Sequence, residues 1–105
     1  MMLGLTKVSF LSVINIGNWA FMACFNLTEV SIPAATRIGW EAFAECTSLN
    51  RVTLGTITNE NFSGSFYDFC SFHKDLRNVY FSNNGGAGTY TRNLQSATPD
   101  NWVKE

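Results

Sequence analysis

A repeat solenoid of short parallel β-strands, closed at its C-terminal end by an aromatic cap and a β-hairpin, is the fold that this chain predicts. Three observations predict it. The sequence matches itself at a shift of 22 residues, each matching unit carries an apolar pattern of period two, and the last third abandons the period for aromatic and turn-forming residues. A length of 105 residues fits one small domain. Seven Lys or Arg against eight Asp or Glu leave a formal charge of -1, which gives no electrostatic grip on polyphosphate, so nucleic acid is not expected as a partner. Charged residues make up 14% and hydrophobic ones 46%, a balance that argues against disorder and against a heavily solvated helical bundle. The apolar run from Val8 to Ile16 is interrupted by Ser9, Ser12 and Asn15. No stretch approaches the roughly 18 to 20 apolar residues of a membrane helix, so no transmembrane segment is expected. The opening Met-Met-Leu-Gly-Leu carries neither a basic leader nor a small-residue cleavage site, so no signal peptide is expected in the chain as it stands.

The elements follow from the first units. At the 22-residue shift Leu5 falls on Leu27 and Leu49, Val8 on Val30 and Val52, and Phe10 on Ile32 and Leu54. Ile16 falls on Ile38, Gly17 on Gly39, Ala20 on Ala42, Phe21 on Phe43 and Cys24 on Cys46. Val8 and Phe10 flank Ser9 as Val30 and Ile32 flank Ser31, which predicts a short half-buried strand in each unit. Pro33 ends the strand of the second unit, and Gly17 and Gly39 allow a bend after the next isoleucine. Residues 19–24 and 41–46 bring Ala, Phe and Cys inward at a spacing that suits a single helical or 3₁₀ turn. Stacking such units about 4.8 Å apart turns equivalent side chains into columns along one axis. Cys24 and Cys46 then become small buried fillers beside Phe21 and Phe43, which agrees with three cysteines that form no Cys-x-x-Cys pair and no disulfide framework. On the outer side of the strands Lys7, Glu29 and Arg51 form a column of alternating charge in which each residue is expected to pair with its neighbour.

The segment Leu27-Thr-Glu-Val-Ser-Ile-Pro33, followed by Arg37-Ile-Gly-Trp-Glu-Ala-Phe-Ala-Glu-Cys-Thr-Ser-Leu49, resembles the BspA-like leucine-rich repeat, in which L-x-x-V-x-I-P is followed by I-G-x-x-A-F-x-x-C-x-x-L. The resemblance covers Leu5 to Leu54 closely and departs at Leu11, where the second unit has Pro33. It implies a leucine-rich-repeat-like solenoid displayed on the surface of bacteria or protozoan parasites, or secreted by them. It further implies a scaffold that binds host matrix proteins or other cells, without catalysis. Gly88-Thr-Tyr-Thr-Arg92 followed by a tryptophan strand resembles the tail of treponemal members, so the chain reads as the C-terminal portion of such a protein.

The regular units are expected over residues 1–55, an irregular terminal repeat and cap over 56–82, and a C-terminal hairpin or tail over 83–105. Cys70 precedes Leu76 by six residues instead of three, and Phe62, Phe66, Tyr67, Phe69 and Phe72 supply bulk to cover the last rung. Residues 75–81 fit either a short helix opened by Asp75 or a fourth strand, with the helix favoured because Asn83-Asn-Gly-Gly86 makes a good stop. Residues 88–92 and 101–105 alternate in strand fashion around a loop holding Pro99, which predicts a closing hairpin. At the other end Met2 stands one period before Cys24, so the chain starts near the end of a rung. An uncapped first rung exposing Val8, Phe10 and Phe21 is expected to self-associate, giving a homo-oligomer.

Sites for chemistry are scarce. Cys70, His73, Asp68 and Asp75 invite a metal or Cys-His hypothesis, but a closed zinc site wants four suitable ligands and the chain has one histidine. Gly85-Gly-Ala-Gly88 is followed by Thr-Tyr-Thr and is a turn, not a phosphate loop. No catalytic residue, cofactor or metal is expected, and the chain is not expected to be an enzyme. The informative pair is Trp19 and Trp40, which fall at outward places on neighbouring rungs, one position out of step. They either shield the turns beneath them, contact a protein, or stack a sugar. Together with Lys7, Glu29 and Arg51 they form the expected binding surface. Protein binding in adhesion or host interaction is the leading function, and a carbohydrate-binding module built on the tryptophan pair is the alternative.

Overall fold

The computed structural model describes residues 4–62, 74–95 and 102–105 of the 105-residue chain. The strand β1 (Lys7–Ser9) and the short β2 (Asn15–Ile16) form the first rung. Next come β3 (Glu29–Ile32) and β4 (Arg37–Ile38) of the second rung, then β5 (Arg51–Leu54) of the third. Helix α1 (Lys74–Tyr80) precedes β6 (Gly88–Thr91) and β7 (Val103–Lys104). A five-stranded sheet runs β1-β3-β5-β6-β7, and β2 pairs with β4 in a second, two-stranded sheet.

The period seen in the sequence is the register of the sheets. Val8 pairs with Val30 and Val30 with Val52, all in parallel, and Ile16 pairs with Ile38, which bridges onward to Phe62. Alternation within each strand decides which residues go inward. Val30, Ile32, Val52 and Leu54 are buried, while the residues between them face out. Pro33 lies immediately after β3, as expected for a residue that cannot donate to the ladder. The core is the resulting set of columns: the valines, Leu27 with Leu49, Ile16 with Ile38, and Cys24 with Cys46.

The segments between the second isoleucine and the cysteine are not helical turns. Ala20, Met22 and Cys24 donate to the carbonyls of Gly17, Trp19 and Phe21, three residues back, while Trp19, Phe21 and Ala23 donate across to Trp40, Ala42 and Ala44 of the next rung. The result is a string of reverse turns in which Trp19, Ala23, Glu41 and Glu45 hold φ between 54° and 60°. A helix would aim every N–H along its own axis. In the first of the two segments half of the N–H groups leave to join the neighbouring rung, with left-handed residues at Trp19 and Ala23. Each such residue costs about 1 to 2 kcal/mol, which the inter-rung hydrogen bonds offset at roughly 0.5 to 1.5 kcal/mol apiece together with the burial beneath them.

The first rung corrects the expectation for Val8, which is buried because its side chain points inward from β1, and agrees with it for Phe10 and Phe21. β1 stops at Ser9, and Phe10 is 40% exposed although its equivalents Ile32 and Leu54 are buried. Met22 is likewise 37% exposed where Ala44 is buried, and Phe21 is half-buried where Phe43 is buried. The pattern is intact; what differs is that a second neighbour to cover this rung is absent among the described residues.

At the far end the rungs give way to other elements. Residues 75–81 resolve to the helix, which begins at Lys74 and so places Asp75 inside its first turn instead of at the cap. The chain turns after Tyr80 through Gly85 and Gly86, with Gly86 N–H on the Tyr80 carbonyl and a left-handed φ at Gly86. β6 then pairs antiparallel with β5 and puts Tyr90 opposite Val52, so that a buried tyrosine continues the valine column. β6 and β7 form the expected hairpin arms. Tyr80 OH donates to Gly55 O and accepts from Ile57 N–H at 2.8 Å, and Arg92 Nε–H donates to Leu49 O at 2.6 Å with its guanidinium over Trp102. The aromatic cap expected from Phe66, Tyr67, Phe69 and Phe72 lies outside the described residues. Phe62, Tyr80, Phe81 and Tyr90 form a ring cluster at this end.

Gly17 and Gly39 occupy the same column with opposite steric demands. A Cβ on Gly39 would collide with the Asn18 backbone of the rung before it, whereas one on Gly17 meets nothing within 4 Å. Gly39→Ala is therefore expected to cost about 1 to 3 kcal/mol and Gly17→Ala under about 0.5 kcal/mol, read as a difference in denaturant midpoints at unchanged slope.

Candidate binding surface

Two outward regions hold the residues singled out in the sequence. On the outer face of the large sheet Lys7, Glu29 and Arg51 stand in register, beside a hydroxyl column of Ser9, Ser31, Thr53 and Thr89. Thr53 and Thr89 hydroxyls hydrogen-bond at 2.8 Å. The charge column does not pair along its length as expected. Arg51 forks onto the Glu105 carboxylate at 2.9 and 3.0 Å, across β6, and is the one described residue of the column in an ion pair. The Glu105 carboxylate takes both terminal guanidinium nitrogens in a bidentate contact. With the side chains 41% and 54% exposed, the pair is worth at most about 1 kcal/mol.

The second region is the turn side. Trp19 is 51% and Trp40 43% exposed, and their rings meet edge to face at 5.9 Å between centroids and 63° between planes. The repeat places them. Trp19 N–H donates to Trp40 O at 3.0 Å, and Trp40 N–H donates to Asn18 Oδ1 at 2.7 Å. The indole N–H of Trp19 donates to Glu41 Oε2 at 2.7 Å. Each ring thus keeps about half of its surface in water while its backbone is held from the adjacent rung.

Glu41, Asn18 and Glu105 were not foreseen. For the first two a signal existed: Glu41 is one period after Trp19, and Trp40 one period after Asn18. The same shift that aligns the core therefore names these surface partners. Glu105 had no such signal, because the strand carrying it joins the sheet antiparallel and outside the period.

The two described thiols are interior. Cys24 and Cys46 are free and buried; Cys46 Sγ donates to Phe21 O at 3.1 Å, and the rings of Phe21 and Phe43 stack on each other. Burial pushes the Cys46 thiol up to about 12. Burial also raises Tyr80 and Tyr90. Among the described residues no three His, Cys, Asp or Glu gather where a metal could bind; Cys70 and His73 lie outside those residues. No helix among them is long and apolar enough to cross a membrane.

In-register parallel strands, repeating columns of Leu, Val, Ile and Cys, and inter-rung turns define a leucine-rich-repeat type of protein. The family model for the BspA type leucine rich repeat region matches residues 2–87 in six copies, and the chain belongs to that family. Regions of this kind are generally non-catalytic scaffolds for protein interaction. No curated protein and no solved structure matches the chain.

The raised Cys46 thiol makes two linked outcomes testable. Its thiolate at pH 8 is roughly 10³-fold scarcer than for a thiol titrating near 9, so alkylation mapped by mass spectrometry is expected to reach Cys46 only after denaturation. Folded and unfolded forms both hold the proton below pH 9, where this contribution to stability is whole. It is lost as pH rises from 9 toward 12, because the unfolded chain releases the proton first. Melting temperatures measured across that range are expected to fall, and to fall less in Cys46→Ala relative to its own value at pH 7.

Proposed function

We propose that the stacked rungs make a short solenoid whose outer surface binds a protein, as a cell-surface or secreted adhesion module, without catalysing a reaction. The observation that carries this reading is the tryptophan pair. Two indoles stay half exposed at neighbouring rungs, held from the backbone, in a chain whose family is generally an interaction scaffold. Large aromatic side chains that are already fixed lose little freedom on docking and are favoured as hot spots. The register-held column of Lys7, Glu29 and Arg51 extends the surface onto the sheet face. The partner class suggested by the family resemblance is a host or matrix protein.

A carbohydrate ligand on the same two rings is the second reading, since exposed indoles also stack sugars. Replacing Trp19 and Trp40 together by Ala separates the two. Capture of matrix proteins on an immobilised panel is expected to drop at least tenfold with the denaturant midpoint little changed. Loss confined to a glycan array would favour the sugar, and unchanged capture of both would remove the pair from function.

Self-association of the 105-residue chain belongs to the same reading. Phe10, Phe21 and Met22 occupy columns that are buried in the next rung and turn them toward solvent, and among the described strands β1 is at the sheet's edge. Light scattering of this chain is expected to show a mass that rises with concentration; a constant monomer mass would reject it.

A further inference from the structure

We infer that Trp19, Trp40 and Glu41 form an acceptor for the guanidinium of an arginine side chain presented by a protein partner, which rests on the protein-binding reading above and names the chemistry of its contact. The angle between the rings is the first reason. At 63° the two indoles make a corner and not a flat floor, and a sugar ring wants a floor to lie on. A corner suits a compact planar group that covers one ring face and meets the edge of the other.

The carboxylate is the second reason. Glu41 Oε2 accepts the Trp19 indole N–H at 2.7 Å, which fixes a negative charge at the rim of the aromatic pair. A guanidinium gains from both features at once, stacking on an indole face and donating to a carboxylate. Surrounding charge agrees. Residues 17–26 and 39–48, the turn side of the first two rungs, contain Glu41 and Glu45 and no Lys, Arg or His, and Arg92 reaches this stretch at the Thr47 carbonyl, with its guanidinium over Trp102 and not over either outward indole. Among the described residues the cations that lie over rings are Arg77 on Phe62 and Phe81 and Arg92 on Trp102; none lies over Trp19 or Trp40. Among the described residues arginine stacks on aromatic rings at the closing end, while no cation lies over the indole pair beside Glu41.

The backbone supplies the third reason. Trp19 and Glu41 share one column at φ 56° and 54°, where Gly or Asn would meet the turn's demand at less cost. A tryptophan 51% exposed is not there for the core. With Trp19 N–H on Trp40 O and Trp40 N–H on Asn18, the corner is formed before a ligand arrives.

The test is a titration of the ¹⁵N-labelled 105-residue chain with an acetylated, amidated tri-arginine peptide, following the three indole N–H signals. Tri-lysine and tri-glutamate peptides serve as comparison arms at matched ionic strength. Saturable shifts of Trp19 and Trp40, with Trp102 still, are expected for tri-arginine, weaker ones for tri-lysine and none for tri-glutamate. Glu41→Gln keeps an acceptor for the Trp19 indole and removes the charge; it is expected to weaken tri-arginine binding about threefold to fivefold. Trp40→Ala, which leaves Glu41 in place, is expected to weaken it at least as much. No saturable shift, equal shifts with tri-glutamate, or affinity indifferent to Glu41→Gln and Trp40→Ala would overturn the acceptor. Matrix-protein capture that needs both tryptophans but is unchanged in Glu41→Gln would overturn it and leave the protein-binding reading standing. Tri-arginine binding lost in both variants, beside matrix capture that ignores them, would support the acceptor and overturn that reading.

Discussion

Backbone hydrogen bonds directed from one rung to the next are the constraint on which the other features depend. Between the first two rungs they run on three sides, from β1 to β3, from β2 to β4, and between the turn segments through Trp19, Phe21 and Ala23, and β3 continues the ladder to β5. Because all three sides share one offset, equivalent residues are brought opposite each other everywhere. A shift by one residue would turn the inward valines and isoleucines to solvent along the entire stack. Local preference is secondary to this. Trp19 and Ala23 hold a left-handed backbone in which their N–H groups reach the carbonyls of Trp40 and Ala44 on the neighbouring rung.

The same constraint explains which parts were legible in the sequence. The valine, isoleucine, leucine and cysteine columns could be read directly, since a fixed period and a fixed register are the same fact. The hairpin arms were legible from alternation at Gly88–Thr91 and around Trp102. The turn segments were misread as helical because Ala, Phe and Cys at spacings of one and three satisfy a helix equally well; what decided against it was where the N–H groups had to go. Val8 was misplaced at an exposed face because an edge strand still turns its inward side chains into the core. The pairing of Arg51 with Glu105 was illegible, since it joins a residue of the repeat to one outside it.

The surface follows a similar division. Trp19 and Trp40 were visible as outward aromatics, yet their mutual geometry and the role of Glu41 were not, because being one position out of step puts each beside the other's column neighbour. The buried thiols show the converse. Cys46 sits in the buried core with its thiol on the Phe21 backbone oxygen, and the burial that raises its thiol makes it a poor nucleophile as well as a good filler.

Tyr90 has a consequence for how such an array can change in length. The valine column passes from a parallel partner to an antiparallel one at β6, so the polarity of the sheet reverses there. Whole units duplicated or deleted before β5 would preserve every contact of the closing end, whereas a unit spliced between β5 and β6 would have to displace the tyrosine. The fold can therefore evolve its reach by copying coils from one direction, with the terminator passed along unaltered.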